Sequence, residues 1–182
     1  MKKLLIIALF LISACSNNKN VINKTSIDLP EWINENKDLS AVGISSPSKG
    51  GLKYQIQMAE LDAKGNLASK IGAEISRVTK NALRSANVNS QDDVEEFFAQ
   101  ATKEVVKDLP LSSVYRDKFF WAKDGTLYVR IILNPDAYSK FLEASEKSFE
   151  KRLKKAQLGR TNINEAEQAT KAIFDELEKE RK

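Results

Sequence analysis

From Ile56 to Ala82 the residues Ile56, Ala59, Ala63, Leu67, Ile71, Ile75, Val78 and Ala82 recur at steps of three or four. That spacing brings side chains back to one side of an α-helix, which turns every 3.6 residues, and it fits no strand period. Lys53, Glu60, Asp62, Lys64, Lys70, Glu74, Arg77 and Lys80 lie on the other faces. The segment is therefore an amphipathic helix of about 30 residues, whose stripe must be covered by other parts of the chain. Small Ala59 and Ala63 predict that one covering element approaches closely.

The flanking elements are shorter. Ala41–Ser46 is a strand candidate, closed by Pro47 and the Gly50-Gly51 break. After a break at Asn87 to Asn89, Ser90 can cap a second helix with Asp92 and Asp93 in its first turn. Val94, Phe97, Phe98, Ala101, Val105 and Leu109 form its stripe, and Pro110 follows its end. Residues 113–133 read as a β-hairpin. A three-residue loop, Lys123-Asp124-Gly125, puts Gly125 in the left-handed position and sets Trp121 opposite Leu127 and Phe119 opposite Val129. Both strands then bury the same face, whereas a two-residue loop would set Lys118 on the apolar side. Asn134-Pro135 reads as N-cap and first residue of another helix, with Tyr138, Phe141, Leu142, Ser145, Phe149, Leu153 and Ala156 along one side. A last helix runs from about Asn164, with the thin stripe Ala166, Ala169, Ile173 and Leu177. The fold class is α+β: a small, mainly antiparallel three-stranded sheet packed on one face by the long helix, plus charged C-terminal helices. These last helices, within 135–182, are free to pack loosely, extend away, or meet another subunit.

Composition removes whole classes of chemistry. The chain has no histidine and a single cysteine, so histidine acid–base catalysis, disulfides and ordinary zinc sites are not expected. No catalytic residue, metal or cofactor is assigned, and the chain is expected not to be an enzyme. A carboxylate enzyme acting on glycan would need two carboxyls roughly 5–10 Å apart in a cleft, and no sequence pair compels that.

The lone cysteine, Cys15, ends a short apolar run. Met1-Lys2-Lys3 is followed by Leu4 to Ile12 and then Ser13-Ala14-Cys15, the order of a secretory signal peptide. The run falls short of the roughly 20 residues a spanning helix needs. A cysteine at the position of the new N-terminus points to a bacterial lipoprotein signal, with I-S-A-C at 12–15 resembling the lipobox. Residues 1–14 are then removed, Cys15 carries a diacylglyceryl group on sulfur, and its new amine is acylated. Several acyl chains make such anchoring stable. Ser16, rather than Asp, favours sorting to the outer membrane. Removing Lys2 and Lys3 leaves 27 basic residues against 25 acidic ones, too even a balance to predict nucleic-acid binding. Cys15 with the polar residues 16–28 reads as a tether, holding the rest about 20 Å from the bilayer. Leu29-Pro30-Glu31-Trp32-Ile33 is apolar enough to dock somewhere.

P-E-W at 30–32, A-V-G-I at 41–44, A-E-L-D-A-K-G-N-L-A-S-K-I at 59–71 and the hairpin from Trp121 to Val129 lie in order behind that lipobox. Together they resemble the Lpp-twenty family of small lipidated envelope proteins of Gram-negative bacteria. The resemblance covers about residues 30–134, hence an Lpp-twenty-like α+β domain over 29–134. It implies an outer-membrane lipoprotein, facing the periplasm or the surface. Some members of that family are surface antigens and some are linked to flagellar disk assembly and motility. It carries no catalytic residue to this chain.

Three further groups invite a site. Asp62 with Lys64 or Lys70 would make a carboxylate–amine pair, although solvated helix charges are the favoured reading. Trp32, Trp121 and Tyr128 would line a ligand groove between sheet and helix, although core packing is favoured. Arg116, Lys118 and Arg130 would cluster on the outer face of the hairpin, where anionic lipid or glycan would meet them; a plain solvated face is favoured. Gly50-Gly51 lacks the spacing of a phosphate loop. The expected function is a membrane-tethered structural or protein-interaction module, with envelope proteins or further copies of itself as partners. The alternative is a lipoprotein that binds an apolar or glycan ligand.

Overall fold

In the computed structural model, which describes residues 28–86, 92–156 and 160–179, the stripe becomes α1 (Gly51–Ser85), a helix about 52 Å long. Ala59, Ala63, Leu67, Ile71, Ile75, Val78 and Ala82 are buried along it. Ile56 is only half-buried, and Gln55 takes the first buried position instead. Its amide donates to Ser45 O at 3.2 Å and Gly125 O at 2.7 Å, so the polar group is satisfied where it is buried.

A sheet of β1 (Ser40–Ser45), β2 (Val114–Trp121) and β3 (Leu127–Leu133) lies on the N-terminal half of α1, antiparallel throughout in the order β1-β3-β2. Leu127, Val129, Ile131 and Leu133 alternate onto the helix side and are buried. Gly43, opposite Val129, is the point of closest approach: a Cβ placed there would lie 2.1 Å from Ala59 O and 2.2 Å from Ala63 N. The expected close packing at Ala59 and Ala63 is thus made by β1, and glycine is what permits it.

The hairpin loop has the expected form. Gly125 has φ +83, Trp121 pairs with Leu127 and Phe119 with Val129. The expected burial of both strands on one face fails for β2, because α1 lies over β1 and β3 while β2 is the outer strand. Phe119 remains 56% exposed and Trp121 38% exposed.

The rest of α1 is covered by helices. α2 (Asp92–Lys107) packs on α1, with Thr79 Oγ1 and Thr102 Oγ1 3.4 Å apart in the buried seam. α3 (Pro135–Leu153) starts as expected, Asn134 Oδ1 accepting from Asp136 N at 2.9 Å and Ala137 N at 3.1 Å. α4 (Arg160–Lys179) starts earlier than Asn164 and packs against both α1 and α3. Phe97 and Phe98 of α2 meet Phe149 of α3, which meets Phe174 of α4, with ring centroids 5.4–5.9 Å apart. The final helices therefore fold back: one apolar cluster runs from Ala59 through Phe149 to Leu177 without interruption at residue 134. The expected cap at Ser90 and break at Asn87 to Asn89 lie outside the described residues.

Candidate interaction surface

Cys15, the one residue to which the sequence assigns a modification, lies outside the described residues. The charges singled out on α1 do different work from a catalytic pair. Asp62 Oδ2 accepts from Ile44 N at 2.8 Å, and Asn66 Nδ2 donates to Val42 O at 2.9 Å. Lys70 Nζ donates at 2.8 Å to Asn36 Oδ1 and to Lys37 O. One side of α1 thus caps the main-chain groups along the free edge of β1, which would otherwise offer a template for another strand.

On the face of the sheet away from α1, Arg130 is nearly sealed, its side chain 4% exposed. Its guanidinium lies 2.6 Å from Glu35 Oε2 and 2.6 Å from Asp117 Oδ2, and 5.6 Å from the centroid of the Trp32 ring. Burial works against the charge, but the hydrogen bonds and charges of Glu35 and Asp117 outweigh it and raise the arginine pKa above its ordinary value. The P-E-W segment docks here, through Trp32. A buried cation held by two carboxylates and stacked on an indole is a clamp between the N-terminal segment and the sheet.

Trp32 and Tyr128 lie on this outer side, whereas Trp121, opposite Leu127, lies on the helix side. The three aromatics share no groove. Nor do Arg116, Lys118 and Arg130 cluster. A β-bulge at Asp117 inserts one residue, so Lys118 stands opposite Arg130 but Arg116 stands opposite Ile131 and turns to the helix side. There Arg116 pairs with Glu60 of α1. Nothing in the sequence marked the bulge.

What remains is the free edge of β2. Phe119 and Trp121 stand on it in edge-to-face contact, centroids 5.3 Å apart. Ala122 N donates to Thr126 O at 2.9 Å, so main-chain groups alternate from there: those of Phe120 point to β3, and those of Trp121 and Phe119 point away from the sheet. Aromatic side chains and main-chain donors and acceptors are thus presented together, on the one sheet edge that α1 does not cap. Charges flank them: Arg116, Asp117 and Lys118 before, Lys123 and Asp124 after. Asp124 Oδ1 accepts from Thr126 N at 2.9 Å, and hydrogen bonds from Thr126 hold its pKa below the usual value, so this carboxylate is charged at neutral pH.

Clefts open among the helices. One of about 620 Å³ lies between α1 and α2, beside Thr79, Leu83, Phe98 and Thr102. Another, about 460 Å³, lies between α3 and α4 and gathers Glu146, Glu150, Glu167 and Asp175 with Lys154 and Lys171. Burial, with repulsion from Glu150, Glu178 and Asp175, pushes the Glu146 carboxyl up from its ordinary value. Among the described residues no group of three or more Asp, Glu, Cys or His side chains is arranged to hold a metal ion, and no helix is long and apolar enough to cross a membrane. A scan against protein-family models finds no match to the chain, and a search of curated proteins finds none either.

Proposed function

We propose that this chain is a non-enzymatic, outer-membrane lipoprotein that acts as a tethered protein-interaction module of the Gram-negative envelope, using the free edge of β2 as its contact surface. The observation that carries the reading is the run Met1–Cys15, a basic start, nine apolar residues and I-S-A-C. The resemblance of residues 30–134 to the Lpp-twenty family supports it, and flagellar disk assembly is its sharper form. Exposed Phe119 and Trp121 support the choice of surface, because an aromatic pair left in water costs free energy that a partner recovers. The ligand-carrier alternative requires space between sheet and long helix, and at Gly43 on β1 the sheet meets the main chain of α1.

Cys15→Ala tests the anchor. The variant accumulates as an unprocessed precursor that takes up no labelled fatty acid. If it is still cleaved and still sediments with the outer membrane, the lipoprotein reading is wrong. Loss of the gene reduces swimming if the sharper form holds, and normal swimming removes that form.

A further inference from the structure

The segment Arg116-Asp117-Lys118-Phe119-Phe120-Trp121-Ala122-Lys123-Asp124 is self-complementary when reversed. Placed antiparallel to itself about Phe120, it sets Phe119 opposite Trp121 of the second copy. Arg116 then stands opposite Asp124 and Lys118 opposite uncharged Ala122, while Asp117, in the bulge, stays with Arg130. The geometry points to a second copy of this chain as the partner of β2: two molecules join edge to edge, Phe120 on Phe120, into one continuous six-stranded sheet. The inference rests on the reading of β2 as the contact surface, and names what it contacts.

Two independent features select this register. The main-chain groups of Phe119 and Trp121 point away from β3, so in an added antiparallel strand these two must form the hydrogen-bonded pairs, and Phe120 falls in the non-hydrogen-bonded pair between them. The register two residues to one side puts Trp121 opposite Asp117, and the one to the other side puts Phe119 opposite Lys123. Each pairs one of the two aromatics with itself and leaves the other against a charge, so only the register centred on Phe120 sets both Phe119 and Trp121 opposite an aromatic. In it Phe119 and Trp121 of both copies form one aromatic cluster on the side where α1 lies, covering the surface that α1 leaves open. The bulge at Asp117 bends the strand away and ends the continuous ladder there. Arg116 and Asp124 therefore meet as flanking charges rather than as part of the ladder.

Cysteine scanning in cells tests the register on the full chain. Phe120→Cys, whose thiols face each other across the twofold axis, forms a disulfide-linked dimer on mild oxidation. Lys118→Cys alone does not, because two copies of residue 118 lie about 13 Å apart along the strands. Parallel runs with the parent chain, in which Cys15 is the sole cysteine, set the background. Charge reversal gives a second readout, by sedimentation of the purified full chain in detergent under reducing conditions. Arg116→Glu and Asp124→Arg each weaken self-association about tenfold, since each juxtaposes like charges at both ends of the interface, and mixing them restores it. A chain that stays monomeric, a Phe120→Cys variant that never crosslinks, or a dimer indifferent to both reversals overturns self-pairing. None of these touches the lipoprotein reading, which falls only if Cys15→Ala is still processed and anchored.

Discussion

Gly43→Ala tests the central packing with a single methyl group. The new Cβ would lie 2.1 Å from Ala59 O, 2.2 Å from Ala63 N and 2.7 Å from Ala63 Cα. All three are main-chain atoms of α1, held in its hydrogen-bond ladder, so no rotamer change relieves the contact. Normal separation requires β1 and α1 to part by more than about 1 Å, since non-bonded atoms sit at roughly 3.5–4.0 Å. That displacement loosens the contacts of the flanking buried residues as well. Overpacking in cores costs about 1–3 kcal/mol. A clash with main chain belongs at the upper end, so we expect about 3 kcal/mol. For a chain of this length that lowers Tm by about 6–12 °C. Urea titration followed by far-ultraviolet circular dichroism should show a lower midpoint at unchanged slope, the mark of lost stability within two-state unfolding. Ala63→Gly in the same chain does not rescue, because the obstructing atoms are not side-chain atoms. Gly65→Ala is the control: nothing lies within 4 Å of a Cβ there, and alanine in a helix interior gains about 0.5–1 kcal/mol over glycine. A Gly43→Ala protein within about 0.5 kcal/mol of the parent would refute the close approach of β1 to α1.

Two further outcomes follow from the charged groups. Asp117→Ala leaves the sealed Arg130 guanidinium with a single carboxylate and costs about 3 kcal/mol, whereas Glu35→Ala, at a side chain 54% exposed against 25% for Asp117, costs about 1 kcal/mol; equal costs in urea titrations would contradict the clamp. Glu146 binds its proton more readily folded than unfolded, so its contribution to stability is full below the ordinary glutamate pKa of about 4.3 and is lost as pH rises through its raised folded value. Glu146→Gln therefore melts above the parent at pH 7, and the two curves converge near pH 4; a difference independent of pH would show that Glu150, Glu178 and Asp175 do not act on it.

The parts of the fold legible in the sequence are those set by local chemistry. The α1 stripe, the Asn134-Pro135 start and the left-handed Gly125 each follow from a few adjacent residues, and the hairpin register followed from that glycine. The α+β class and the three-stranded sheet came from the change of hydrophobic period. What escaped depends on contacts far apart in sequence. Alternation places Phe119 and Trp121 on the apolar side of β2, but says nothing about how far α1 reaches across the sheet. Arg130 sits on the alternate face expected of solvent-facing residues, and Asp117 together with Trp32 and Glu35, almost a hundred positions earlier, seals it. The bulge at Asp117 reversed the side of Arg116 without any glycine or proline to announce it. Gln55 displaced Ile56 from the stripe because two carbonyls, one of them 70 residues away, needed a donor. Of the candidate site, the residue types were legible and their grouping was not.

The capping of β1 by Asp62 and Asn66, with Lys70 holding the carbonyl of Lys37 just before the strand, gives the sheet a valence of one. A sheet open at both edges adds units without limit, and its product is a fibre. Here α1 occupies the edge that a third molecule would need, and the twofold relation between two β2 edges uses up the other, so growth along the hydrogen-bond direction terminates at a pair. Any larger assembly of this chain has to be built through surfaces other than the sheet edges.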